Sequence, residues 1–202
     1  MTTHKRAARK RRFKPKPGCV YRTAELARWT ANPTRLAKRL VQAGELKLLA
    51  QGLYAAPRRT RFGEAPPKPE MIMEAFLEGA PHVFTGPEYW NALGLGATGL
   101  FPAYLVYNTR RTGNFVFGGH RFILRRVRFP RKPTPEWYAV DLIRHRDLVG
   151  LDRETLVRRL RVALDQGKLE PQRLRKMALE FGTKETQQLV EEATASGRGA
   201  HR

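Results

Sequence analysis

The sequence predicts an α+β protein: a helix-turn-helix followed by a β-hairpin, then a small mixed α/β unit with antiparallel strands and a helical C-terminal part. Three observations carry this. Two short helices meet at Ala31-Asn32-Pro33. Two apolar strand-length runs flank Gln51-Gly52 immediately afterwards. Aromatic and β-branched segments at about 101–129 then give way to helical periodicity at about 136–195.

The chain has 202 residues, enough to bury a sizeable core in one large or two small domains. Lys and Arg number 39 against 18 Asp and Glu, a formal charge of +21. A field of that sign selects polyanionic ligands. Residues 1–61 hold 17 of the basic residues but only 2 of the acids. The expected organisation is a basic arm at 1–17, a nucleic-acid-binding unit at 18–60 and a second α+β unit at 61–202.

The arm carries Lys10, Arg11, Arg12 and Lys14 among its cations and no acid. A run of like charge stays solvated by itself, and beside a basic domain it neutralises phosphates. Thr23 is expected to cap a helix over Ala24–Thr30. Asn32 then caps a second helix, Pro33–Ala43, with Pro33 at the first helical position and Gly44 as terminator.

On a wheel of 100° per residue with Leu36 as origin, Ala43, Leu36, Leu40, Pro33, Ala37 and Val41 span about −20° to 140°. Thr34, Arg35, Lys38, Arg39 and Gln42 span about 160° to 300°. A merely solvated face usually mixes both signs; this one holds three cations and no acid. Such groups donate to guanine and phosphate oxygens, and the amide also pairs with adenine. Asn32, Thr34, Arg35, Lys38, Arg39 and Gln42 are therefore the candidate DNA contacts of a recognition helix.

Glu45–Ala50 and Leu53–Ala56 are expected as strands joined at Gln51-Gly52. A hairpin directly after a recognition helix makes the unit a winged helix. Lys47, Gln51, Arg58 and Arg59 are the wing and flank candidates, with Tyr54 assigned to the core. Arg58–Pro69, rich in Pro, Gly and charge, is expected to be a linker or an extended crossover.

The run Gly44-Glu45-Leu46-Lys47-Leu48-Leu49-Ala50-Gln51-Gly52-Leu53-Tyr54-Ala55-Ala56-Pro57 resembles the N-terminal winged helix of AbiEi-type antitoxins of type IV toxin–antitoxin systems and their uncharacterised relatives. The resemblance continues through Met71–Leu77, His82-Val83-Phe84-Thr85-Gly86, Asn91–Leu95 and Tyr104–Thr109, and covers roughly residues 18–130. It implies a DNA-binding autorepressor acting on its operator or promoter. It also implies a nucleotidyltransferase-like toxin as functional, if not physical, partner.

In the second unit Pro69–Leu77 is expected to be helical, and Thr85 to cap a helix with Pro87 in its first turn. Strands are expected at Phe101–Thr109, Phe115–Phe117 and Arg121–Phe129, the last without a clean period of two. Arg121, Arg125, Arg126 and Arg128 make it basic. Helices follow at Glu136–Leu148, Asp152–Gln166, Pro171–Phe181 and Thr183–Thr194, with Asp152 capping and Gly167 and Gly182 closing. Residues 196–202 are expected to fray.

Chemistry of other kinds lacks a basis. Gly94-Leu95-Gly96-Ala97-Thr98-Gly99 matches a dinucleotide fingerprint in letters, but a helix precedes it and a strand follows, the reverse of what that site needs. Asp141 and His145, four apart, are expected as a surface pair rather than metal ligands. Cys19 has no histidine near it in sequence. The expectation is a cytoplasmic protein with no metal, no cofactor, no enzymatic activity and no membrane segment. A structural or ribosome-associated RNA-binding protein is the alternative reading of the same charge.

Overall fold

The computed structural model describes residues 13–96 and 102–195. It is α+β, and the chain forms two units: Met1–Ala80 with Val116–His120, and Pro81–Phe115 with Arg121–Arg202. The first unit thus runs beyond residue 60, where the proline-rich stretch suggests its end.

The first unit opens with β1 (Val20–Arg22), α1 (Thr23–Leu26), α2 (Pro33–Gln42), β2 (Lys47–Ala50) and β3 (Leu53–Ala55). The strands form an antiparallel sheet in the order β1-β3-β2. Strand β1 leaves no mark in the sequence pattern, because three residues are too few to show a period. Helix α1 is shorter than expected, and Thr23 is not its cap: Arg22 holds that position, and its N–H donates to the Glu25 carboxylate at 2.9 Å.

Helix α2 follows its sequence signals closely. The Asn32 side-chain oxygen accepts from the Arg35 N–H at 3.0 Å, and Pro33 lies in the first turn. At the other end Gly44 takes a φ of +68°. The Gly44 N–H donates to the Val41 carbonyl and the Glu45 N–H to the Leu40 carbonyl, which satisfies two carbonyls of the last turn. The apolar stripe packs Leu36, Ala37 and Leu40 against Phe13, Leu26, Leu46, Tyr54 and Ala56. Each of the two leucines contributes about 1.5–3 kcal/mol by leaving water.

The expected linker at 58–69 is instead a second hairpin, β4 (Arg58–Thr60) and β5 (Gly63–Ala65), followed by α3 (Pro69–Phe76). It is exposed along nearly its whole length, so no hydrophobic alternation marks it. Val116–His120 adds to this unit, with the Phe117 ring 4.5 Å from that of Phe76. Gly118 takes a φ of +56°, which favours glycine, and a Cβ there would lie 2.9 Å from Leu49 Cδ2, so that side chain would have to shift.

The second unit contains β6 (His82–Thr85), α4 (Pro87–Ala92), β7 (Tyr104–Asn108) and the greater part of β8 (Gly113–Phe117) and β9 (His120–Arg126), whose adjoining ends at Val116–His120 count with the first unit. The sheet order is β6-β7-β9-β8. The expected antiparallel pairing holds between β6 and β7, but β9 runs parallel to β7. Half-exposed β8 takes the edge, and β9, with Phe122 and Leu124 buried, returns to the interior. Phe101, expected in a strand, lies outside the described residues.

Helices α5 (Pro135–Arg144), α6 (Arg153–Asp165), α7 (Pro171–Phe181) and α8 (Lys184–Ala195) complete the unit. Their core includes Trp90, Leu142, Leu156, Leu160, Leu174 and Leu189, with Met177 packed against it. Asp152 caps α6 by accepting from the Thr155 N–H at 2.8 Å. A 3-10 turn at Arg146–Val149 replaces the end of the expected 136–148 helix. Gly182 does not close α7 in the left-handed form; its φ is −89°. It is needed for space, because a Cβ would lie 2.6 Å from the Ala178 carbonyl oxygen. The Thr85 cap is also corrected: Gly86 holds the N-cap of α4, and the Thr85 hydroxyl points elsewhere. No helix among the described residues is long and apolar enough to cross a membrane.

Candidate nucleic-acid interface

Helix α2 presents Thr34, Arg35, Lys38, Arg39 and Gln42 on its exposed side. No described residue answers the charges of Arg35, Lys38 and Arg39 with a carboxylate. Asn32, Arg35, Lys38, Arg39 and Gln42 border an open depression of about 770 Å³. Its other wall is Phe13, Trp29, Thr30 and Ala31. Trp29 is 41% exposed there, although its ring lies 5.7 Å from that of Phe13. The Asn32 oxygen is used within the fold as the helix cap, and its N–H donates to Thr30 Oγ1 at 3.2 Å.

Phe13 is buried against this unit, with the Tyr21 ring edge-on at 5.2 Å. The point where the basic arm joins the fold is thereby fixed on the wall of the depression. Lys14 follows, exposed. Lys10, Arg11 and Arg12 lie outside the described residues.

The hairpin residues are placed differently. Gln51 is exposed at the turn between β2 and β3. Lys47 Nζ lies 3.0 Å from Glu64 Oε1, so its charge is partly answered by the second hairpin. Both groups are exposed, and such a pair is worth little in water. Arg58 and Arg59 are exposed on β4.

A further basic depression, about 820 Å³, lies in the second unit and includes Arg126, Arg128, Arg131 and Glu180. Of the other arginines of the basic strand, Arg121 is exposed, while Arg125 is half-buried and donates to the Leu124 carbonyl at 3.1 Å.

The Asp141 and His145 pair is not on the surface. Asp141 is 2% exposed, and its carboxylate accepts from Thr85 Oγ1 at 2.5 Å and from the Tyr107 hydroxyl at 2.6 Å. His145 Nδ1–H donates to the Asp141 carbonyl at 2.8 Å, and Nε2 meets the Tyr107 hydroxyl at 3.2 Å. Burial and the Asp141 charge push the Tyr107 hydroxyl far above its ordinary value of 10.0. Spacing alone could place both on one helix face, but only the fold supplies Thr85 and Tyr107 from other strands.

Of the glycine motif, residues 94–96 are described. The carbonyls of Leu95 and Gly96 accept from the Arg159 guanidinium, so that turn offers acceptors to a cation rather than N–H groups to a phosphate. Ala97, Thr98 and Gly99 lie outside the described residues. Among the described residues no group of three or more His, Cys, Asp or Glu is placed to hold a metal.

No family model matches the chain. No curated protein matches it. The crystal structure of the RV2827C protein from Mycobacterium tuberculosis is similar, with 14% identity and a TM-score of 0.48, over 87% of this chain and 72% of that one. A likeness at that level assigns neither a family nor an activity.

Proposed function

We propose that the first unit is a winged helix that binds double-stranded DNA. Helix α2 enters the major groove, with Thr34, Arg35, Lys38 and Gln42 at base edges and Arg39 at the backbone. The β2–β3 hairpin is the wing, with Gln51 at its tip, and the arm neutralises further phosphates. The observation that carries this reading is the exposed face of α2, where three cations, a hydroxyl and an amide stand with no acid.

The experiment is a gel-shift titration on DNA from upstream of the chain's own gene. Arg35→Ala combined with Lys38→Ala should weaken binding, since each bidentate base pairing removed is worth about 1–3 kcal/mol. Unchanged affinity rejects the helix assignment. Bulk structured RNA as competitor tests the alternative: if RNA displaces the DNA and no footprint forms, the chain binds RNA.

The finer reading is a transcriptional repressor that autoregulates its operon as antitoxin of a type IV-like pair. It rests on the resemblance of residues 44–57 and the segments after them to AbiEi-type antitoxins. Co-expression with a neighbouring nucleotidyltransferase-like gene tests it. Growth should be restored by this chain, and continued arrest removes the antitoxin role while leaving DNA binding intact.

A further inference from the structure

The β4–β5 hairpin has no part in the core, yet its tip is built. Strand pairing matches Arg58 with Ala65, Arg59 with Glu64 and Thr60 with Gly63, which leaves Arg61 and Phe62 as a two-residue turn. Thr60 Oγ1 accepts from the Phe62 N–H at 3.2 Å and donates to the Gly63 carbonyl at 2.8 Å. Gly63 takes a φ of +109°, which favours glycine. The turn is therefore held in one shape, and that shape presents Phe62 to solvent at 86% exposure.

The surroundings of this ring are cationic. The Arg61 guanidinium lies 4.6 Å from the Phe62 ring centroid. Arg58 and Arg59 stand exposed on β4. The one acid of the hairpin, Glu64, is paired with Lys47 of the wing. That pair places Glu64 beside the β2–β3 wing. An apolar protein surface would bury the ring but would strand the arginines. A duplex satisfies both, because phosphates take the guanidinium groups and a base step takes the ring.

We infer that the β4–β5 hairpin is a second DNA contact, with Phe62 wedged between base pairs in the minor groove and Arg58, Arg59 and Arg61 on the flanking phosphates. This rests on the DNA-binding reading above and adds to it a deformation of the duplex. An aromatic wedge partly unstacks a step and kinks the helix. The bound DNA is then bent, and pyrimidine–purine steps, which unstack easily, are favoured at that point.

The test uses the full chain and circularly permuted fragments of the DNA upstream of its gene. The wild type should bind and show position-dependent mobility, the sign of a bend. Phe62→Ala should bind about tenfold more weakly, as expected for the removal of one base-stacking aromatic, and should lose the bend. Phe62→Trp should keep both. Phe62 is so exposed that neither change should alter the circular dichroism spectrum or urea midpoint, and both are measured alongside. If Phe62→Ala binds and bends as the wild type does, the wedge is overturned and the DNA-binding reading stands. If Phe62→Ala instead lowers the mass seen in sedimentation equilibrium, with the bend intact, the ring serves a second copy of the chain and the inference is overturned. A wild type that binds no duplex overturns both.

Discussion

Replacing Asp141 by Ala should destabilise the second unit more than any surface change in this chain. The carboxylate is 2% exposed and accepts from Thr85 and Tyr107, whose hydroxyls are themselves in buried residues. Alanine leaves the Thr85 hydroxyl without that acceptor, whereas the Tyr107 hydroxyl can still donate to His145 Nε2 at 3.2 Å; an unsatisfied buried group costs about 1–3 kcal/mol. The missing side-chain volume adds a small cavity term. The expected total is about 2–4 kcal/mol, a large share of the roughly 5–15 kcal/mol that holds a typical domain. Asp141→Asn retains one acceptor oxygen and should cost about 1–2 kcal/mol. Thr85→Val removes one donor, and combined with Asp141→Ala it should be clearly less than additive.

Urea unfolding followed by tryptophan fluorescence reads the effect directly. Trp137 reports on the site, as its ring lies 6.0 Å from that of Tyr107. An Asp141→Ala stability within about 0.5 kcal/mol of the wild type would refute the reasoning. So would an equal loss for Asn and Ala, because the stability of this cluster should follow the number of acceptors retained.

Asn32→Ala should remove the α2 cap and lower stability by about 1 kcal/mol in chemical unfolding, with Asn32→Ser close to neutral. Deleting residues 1–12, which leaves buried Phe13 in place, should weaken binding to all duplexes alike. The same deletion should flatten the dependence of log K on log salt by about 0.9 for each phosphate no longer neutralised. Burial, the neighbouring Tyr89 and the Asp141 charge push the Tyr138 hydroxyl from 10.0 up to about 12. The unfolded chain therefore ionises first. Tyr138 contributes stability fully below 10.0, and that contribution is lost as pH rises towards about 12. Tyr138→Phe should make alkaline melting less steep, and an unchanged slope assigns the loss to other groups such as Tyr107.

Helix α2 is legible in the sequence because three signals agree there: a cap at Asn32, a stop at Gly44 and a complete division of polar from apolar side chains. Its exposed residues follow from the same wheel. The β4–β5 hairpin is not legible, since a strand pair open to water on both faces has no alternation to detect, and its prolines and glycine suggest a linker. The Thr85 hydroxyl reads as the cap of the nearest helix, a local role that loses to a carboxylate 56 residues away. The Asp141 cluster escapes detection for the same reason, because spacing within one helix carries no information about strands packed against it. The parallel partnership of β7 and β9 depends on β8 taking the sheet edge, a choice made by relative burial across the whole sheet.

The return of Val116–His120 to the first unit bears on how this protein can be dissected. A fragment ending at Ala80 contains every candidate groove-reading side chain, yet it forfeits the aromatic packing of Phe117 on Phe76. It also lacks Gly118, the glycine that turns the chain beside Leu49. A weak or aggregated fragment would thus report an amputated floor rather than a poor reader of DNA, and single substitutions in the intact polypeptide are the sound way to separate its parts.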